Sequence, residues 1–244
     1  MNSGIFRKSL CHRSSLFALN GRESSFRLNN IICGDALHIL KQLPDKSIDL
    51  VVTDPPYGDN IAYGTHNRTI MGNEHPLVAL AVMAECYRTL KANTTAYMFC
   101  GSRHLGFLRS FFQNYTKYAI RDVVIWDKVL RGRGHGFRHQ YECILVLEKG
   151  KPRYRIPGLP NVLRFQRTRA IQHPHEKPVE LIQTLIRQSS DERAVVLDPF
   201  IGSGTTAHAA SRLNRYYVGV ERDPTYYRIA ITRLQQTAEI PRAA

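Results

Sequence analysis

Residues 195–210 read "VVLDPFIGSGTTAHAA". A short β-branched run ends on Asp198, as a buried strand does. Gly202 and Gly204 follow, two residues that let a backbone turn tightly and approach a ligand. Thr205 and Thr206 then open a helix. In open α/β sheets, ligands bind beyond the carboxyl ends of such strands. A lone Gly-x-Gly is often only a turn, but the next apolar run adds a second feature. "RYYVGVE" (215–221) ends on Glu221, about 20 residues past the glycines, where an acid at the tip of the neighbouring strand can accept from ribose hydroxyls. The spacing implies a nucleoside-containing cofactor. It does not fit Gly-x-x-x-x-Gly-Lys-Ser/Thr, so the loop is not a P-loop.

Working outward, strands and helices alternate along the whole chain. "LNNIIC" (28–33) predicts a strand. "GDALHILKQLP" predicts a helix, with Leu37, Leu40 and Leu43 at helical spacing, and "SIDLVVTD" predicts a buried strand. Helix "PLVALAVMAECYRTLKAN", strand "TTAYMFCG" and helix "SRHLGFLRSFFQNY" follow. "YAIRDVVIWDK" and "YECILVLEKG" predict two strands flanking the loop "RGRGHGFRH". Residues 150–172, with three prolines, predict mostly irregular chain. "KPVELIQTLIRQSS", "GTTAHAASRLN" and "PTYYRIAITRLQQTA" are the remaining helices. The class is α/β with a mostly parallel sheet, and the two strands around the Gly/Arg loop could form an antiparallel hairpin at one edge.

The 244 residues are 43% hydrophobic, ordinary for a globular protein with a real core. No apolar run approaches the roughly 18 residues of a membrane span. The five cysteines (Cys11, Cys33, Cys86, Cys100, Cys143) form no CxxC pair, which points away from zinc and disulfides and toward a reducing, intracellular compartment. His173 and His175 in "HPHEKP" are read as structural or cofactor-side rather than as a metal pair, so no metal is expected. The net charge of +14 is concentrated: residues 101–170 hold 15 Lys and Arg against 4 Asp and Glu. Such a block is the footprint of a polyanion partner. Residues 1–28, Ser- and Arg-rich with Glu23 the one acid, are expected to be a disordered basic extension; a transit peptide or a start placed too far upstream would share that composition.

A second diagnostic stretch, "IDLVVTDPPYG" (48–58), ends an apolar run on Asp54, Pro55, Pro56 and Tyr57. Two prolines fix two φ angles and remove two N–H donors directly behind a carboxylate. Taken together, "DPPY" and "DPFIGSGTT" resemble the motifs of S-adenosylmethionine-dependent, amino-methylating DNA methyltransferases. The catalytic motif precedes the cofactor motif, as in the circularly permuted beta class. "GDALHIL" and "HEKPVELIQTLI" also resemble that group, over roughly residues 28–235. The resemblance implies a single Rossmann-like methyltransferase domain over residues 29–240, with a circularly permuted motif order and a basic DNA-recognition segment at about 128–172.

The resemblance further implies a division of roles. Asp54, Pro55, Pro56 and Tyr57 are catalytic. Asp198, Pro199, Phe200, Gly202, Ser203, Gly204 and Thr205 line the methionine side of S-adenosyl-L-methionine, Lys177 and Pro178 flank that end, Glu221 holds the ribose, and Asp35 accepts from the cofactor's adenine amino group. Asp35 also fits a plain helix N-cap. Arg131, Arg133, Arg138, Lys151, Arg153 and Arg155 are the candidate DNA-binding residues, since Arg, Gly and aromatic residues interleave there. The implied activity is methylation of adenine N6 in double-stranded DNA. Cytosine-N4 transfer is the first alternative, although members with that activity more often have serine at the position of Asp54. RNA and protein methylases typically carry Asn-Pro-Pro-Tyr and place the cofactor motif first. An inactive nucleic-acid-binding protein is disfavoured because every expected motif residue is present. Homodimers and a cognate restriction endonuclease are partners such relatives have, and a cytoplasmic, nucleoid-associated bacterial or phage protein is the implied setting.

Overall fold

The computed structural model describes residues 16–19, 22–56, 76–130, 132, 136–167 and 176–238. Strands β1 (Leu16–Leu19) and β2 (Arg22–Arg27) form an antiparallel hairpin of their own, pairing Leu16 with Arg27 and Leu19 with Arg22. The hairpin falls within residues 1–28, the segment expected to be a disordered basic extension.

The main sheet begins with β3 (Asn30–Cys33) and α1 (Ala36–Leu40), then β4 (Ile48–Thr53), α2 (Pro76–Thr89), β5 (Leu90–Cys100), α3 (Leu105–Tyr115), β6 (Ala119–Asp127), β7 (Tyr141–Lys149) and β8 (Val162–Arg164). It ends with α4 (Val179–Ser189), β9 (Val195–Asp198), α5 (Thr205–Arg212), β10 (Tyr216–Glu221) and α6 (Pro224–Ala238). The eight strands lie in the order β3-β10-β9-β4-β5-β7-β6-β8. The first five are mutually parallel. β7 runs against both β5 and β6. The β6–β7 hairpin does not form the edge, because β8 pairs parallel to β6 and covers it. That three-residue strand falls inside the stretch expected to be irregular; three residues are too few to show a period.

Alternation along each strand divides the core in two. Val51, Met98, Leu145 and Val218 point toward α1, α2 and α3. Leu50, Val52, Phe99, Trp126 and Ile144 point toward α4, α5 and α6. Because both faces are covered, β4 reads as a continuous buried run rather than an alternating one. α4 shows the helical counterpart: Leu181, Ile182, Leu185 and Ile186 form one buried stripe. Among the described residues no helix is long and apolar enough to cross a membrane.

One topological point positions the site. From β4 the chain crosses through α2 to β5 on one side. From β9 it crosses through α5 to β10 on the other. β4 and β9 are neighbours, so the winding reverses between them, and the crevice beyond their carboxyl ends is where such a sheet binds ligands.

Candidate active site

Asp54 follows the last residue of β4, and Asp198 is the last residue of β9. The two motifs therefore meet at the switch point, and they are bonded to each other. The Thr53 hydroxyl donates to Asp198 Oδ1 at 2.9 Å, across 145 residues of chain. The Thr206 hydroxyl donates to Asp198 Oδ2 at 2.6 Å, and the Phe200 amide donates to Oδ1 at 3.1 Å. Burial pushes the Asp198 carboxyl up to about 7 against the pull of these donors. Asp198 thus ties the loop after β9 to β4 and to the first turn of α5.

The loop itself turns on left-handed glycines. Gly202 has φ +52° and Gly204 has φ +82°. Gly204 precedes α5 with no side-chain cap, which leaves the first amides of that helix to bond elsewhere. Glu221, at the end of β10, accepts from the Gly202 amide at 2.9 Å and from the Asp223 amide at 2.8 Å, so it braces the loop from the adjacent strand. Burial raises its pKa in spite of these donors. Asp35 caps α1 through the His38 amide at 3.0 Å, beside Gly34, whose amide donates to the Glu221 carbonyl at 2.8 Å. The structure thus brings Asp35, Asp198, Gly202, Gly204, Thr205 and Glu221 to the carboxyl edge of three neighbouring strands.

Lys177 is buried between the two motifs. Its ammonium lies 2.6 Å from Asp54 Oδ2 and 2.9 Å from Glu142 Oε2, above the rings of Phe99 and Trp126. Glu142 Oε1 takes a second cation, Lys128 Nζ, at 2.6 Å. Burial opposes the charge on Lys177, but the Asp54 and Glu142 carboxylates overcome it and hold the ammonium above the ordinary lysine range. Burial likewise opposes the charge on Glu142, and Lys177 and Lys128 bring its pKa down to about 2. The stabilisation from ionised Glu142 is therefore present above pH 4.5 and is lost as pH falls toward 2. Glu142→Gln should flatten that part of the acid unfolding curve, followed by circular dichroism; an unchanged curve would mean the pairs contribute nothing to stability.

The residue before Lys177 makes the matching connection to the other motif. Glu176 Oε1 pairs with Arg233 Nη2 of α6 at 2.6 Å, and Arg233 Nη1 donates to Thr205 Oγ1 at 3.1 Å and Ser203 Oγ at 3.4 Å. Sequence reasoning missed Glu142, Lys128, Glu176, Arg233, Thr53 and Thr206. Only Glu142 left a visible signal, as a carboxylate at the start of the otherwise apolar "CILVL".

The basic residues separate. Arg138 is exposed on the connection between β6 and β7, beside the fully exposed Phe137, at the end of the hairpin next to Glu142. Lys151, Arg153 and Arg155 follow the other end of β7, which pairs with the amino-terminal part of β5. Arg155 is held there in a bidentate pair with Asp191 at 2.6 and 2.7 Å. The six do not form one patch: these three lie at the opposite edge of the sheet from Asp54. Arg131, Arg133, Tyr57, His173 and His175 lie outside the described residues. Among the described residues no cluster of three His, Cys, Asp or Glu could hold a metal.

A family model described as DNA methylase matches residues 48–170 and 158–232. The Type II methyltransferase M.HpaI of Haemophilus parainfluenzae is 29% identical over 230 residues, covering 84% of this chain and 73% of its own. The DNA adenine methyltransferase YhdJ of Escherichia coli (strain K12) is 28% identical over 247 residues, covering 84% and 82%. Among solved structures, the cytosine-N4-specific PvuII DNA methyltransferase superposes with a TM-score of 0.72 at 18% identity, covering 86% of this chain and 90% of that one. The complex of M1.HpyAVI with SAM superposes at 0.65 and 23% identity, covering 84% and 98%. At these identities the two structural likenesses speak for the fold, which they share over most of its length.

Proposed function

We propose that this chain, which belongs to the N6/N4 DNA methylase family and is a DNA methyltransferase, transfers the methyl group of S-adenosyl-L-methionine to the N6 amino group of adenine in double-stranded DNA. The observation that carries this reading is the Asp54 carboxylate at the switch point, one strand away from the glycine loop and paired to a buried lysine.

The exocyclic amino nitrogen of adenine is a poor nucleophile because its lone pair is delocalised into the ring. Two acceptors at fixed angles can hold its N–H bonds and turn the lone pair outward. The Asp54 carboxylate is one acceptor. The Pro55 carbonyl is the other, since proline keeps its C=O. Pro55 is buried and is followed by a second proline, so little reorganisation is left for the moment of reaction. As positive charge develops on the nitrogen, Asp54 stabilises it. Tyr57 offers a flat face to the base, which leaves the duplex at a cost of a few kcal/mol.

The cofactor, when bound, supplies an electrophilic methyl group on sulfur. The chain's own residues fit it: the open amides at the start of α5 suit its carboxylate, and the Gly202–Thr205 loop lets the backbone come close. The Glu221 carboxylate, which takes the Gly202 and Asp223 amides, offers about four lone-pair sites and so can accept a ribose hydroxyl as well. Asp198 supports the loop through its three donors. Glu221→Ala should weaken cofactor binding by about 1–3 kcal/mol, measured by calorimetry. An unchanged dissociation constant would take the ribose role away from Glu221.

Asp54, where serine would favour cytosine-N4 transfer, supports the adenine assignment. The test is transfer of a tritiated methyl group to DNA, RNA and protein, followed by nucleoside analysis. N6-methyladenine in DNA is the expected product; N4-methylcytosine would overturn the base assignment, and label in RNA or protein alone would overturn the substrate. DNA lies across the carboxyl edge, where Arg138 meets its phosphates. Arg138→Ala should reduce the salt dependence of duplex binding by about 0.9 in slope. A Lys151/Arg153 double substitution to alanine at the other edge should leave that slope unchanged. The reverse pattern would place the DNA on the wrong side of the sheet.

A further inference from the structure

Four charged side chains alternate in sign from the loop end of the β6–β7 hairpin to Asp54: Lys128, Glu142, Lys177, Asp54. The successive gaps are 2.6, 2.9 and 2.6 Å. The members differ in how firmly the backbone holds them. Glu142 sits on β7, which is hydrogen-bonded on both sides, to β5 and to β6. Asp54 lies past the end of β4, in chain that belongs to no strand. Lys177 is a long side chain with four rotatable methylene bonds, and its head is placed only by what it touches. Its side chain is 8% exposed, whereas Asp54 is 23% exposed.

We propose that Glu142 is a positioning residue for methyl transfer, which acts through Lys177 to hold the Asp54 carboxylate in its productive orientation. This deepens the assignment of Asp54 as the acceptor for the target amino group, and rests on it. With Glu142 ionised, the Lys177 ammonium is shared between two carboxylates and stands between them, engaging one oxygen of Asp54. With Glu142 neutral, the buried ammonium has Asp54 as its one ionised partner in the chain of four. The attraction of the ammonium is then no longer divided between two carboxylates and falls on Asp54, which it already touches at 2.6 Å. Lys177 then competes with the target amino group for the acceptor that should orient it. The effect falls on the chemical step. Glu142 bonds Lys128 and Lys177, and Lys177 keeps its charge and its contact with Asp54 in Glu142→Gln, so KM for cofactor and for DNA is expected to change little.

The experiment is a double-mutant cycle in steady-state and single-turnover methyl transfer with wild type, Glu142→Gln, Lys177→Met and the double variant. Glu142→Gln is expected to lower kcat ten- to a hundred-fold with KM for DNA and for cofactor within three-fold. In the Lys177→Met background the same change is expected to cost less than two-fold, because its route to Asp54 is gone. Equal costs in the two backgrounds would overturn the proposal, as would a kcat within two-fold of wild type in Glu142→Gln. Glu142→Asp, which keeps the charge one methylene further back, should fall between wild type and Glu142→Gln, and it carries the test if glutamine prevents folding. An Asp54→Ala enzyme that still transfers at the wild-type rate would refute the underlying acceptor assignment instead. Loss of activity in Asp54→Ala alongside an unaffected Glu142→Gln would refute only the role of Glu142.

Discussion

Asp54→Ala is expected to lower the single-turnover rate of methyl transfer by at least about 10²–10³-fold, the scale seen when a group aimed at developing charge is removed. The cofactor dissociation constant should stay within about three-fold, an energy change under about 1 kcal/mol. The separation follows from position. The Gly202 amide of the glycine loop is braced by Glu221, on β10, two strands away from β4. The connection between the motifs runs through Thr53 and Asp198, which the substitution leaves in place. Alanine removes one of the two carboxylates around Lys177, but Glu142 remains at 2.9 Å, so the ammonium is not stranded. Asp54→Asn is the companion variant: it keeps the size and one acceptor oxygen while dropping the charge, and should recover little of the rate. A loss of cofactor affinity as large as the loss of rate would show that Asp54 serves binding, and would remove it from the chemical step.

Gly204→Val should have the largest effect on stability. Gly204 sits at φ +82°, a left-handed conformation that costs a β-branched residue roughly 1–2 kcal/mol. A Cβ there would also stand 3.0 Å from the Ala230 Cβ and 3.2 Å from its Cα, both belonging to α6. The neighbour is helix backbone and cannot swing away, so overpacking adds about 1–3 kcal/mol. Together these predict a melting temperature lower by about 5–15 °C for a chain of this size. They also predict loss of cofactor binding, because the Gly202–Thr205 turn cannot keep its path. Differential scanning calorimetry with and without cofactor checks both. A variant that melts and binds like wild type would mean that the turn and α6 are free to separate.

Much of the site was legible before the structure because its chemistry is local. Asp54 and its prolines, or the run from Asp198 to Thr205, are contiguous residues whose strand-turn-helix context can be read in place. The parallel sheet was legible for the same reason, since β-branched runs such as Ile48–Thr53 alternate with amphipathic segments such as α4. Partners far apart in the chain were not legible. Nothing around Lys177 indicates that its ammonium reaches Glu142, 35 residues earlier, or that Glu176 beside it reaches Arg233, 57 residues later. The basic residues show a related gap. Composition places Arg138 and Arg155 in one block of charge, but β7 reverses direction between them and carries them to opposite edges. The hairpin at 16–27 was hidden by its polar second strand, "RESSFR", in which one apolar residue stands among charges and serines.

The pairing of β3 with β10 has a consequence for how the protein is made. Asn29 bonds to Tyr217 across 188 residues, through its amide at 2.8 Å and its side chain at 3.3 Å. β3, two residues ahead of Asp35, is the first strand of the main sheet to leave a ribosome, and β10, which carries Glu221, is the last. The central strands β4, β5 and β7, with Asp54 just past the end of β4, are translated while β3 still lacks its neighbour. Chains emerge amino end first at about 5–20 residues per second, so β3 waits on the order of ten seconds or more for β10. During that interval the early strand is an unpaired edge, open to pairing with other nascent chains.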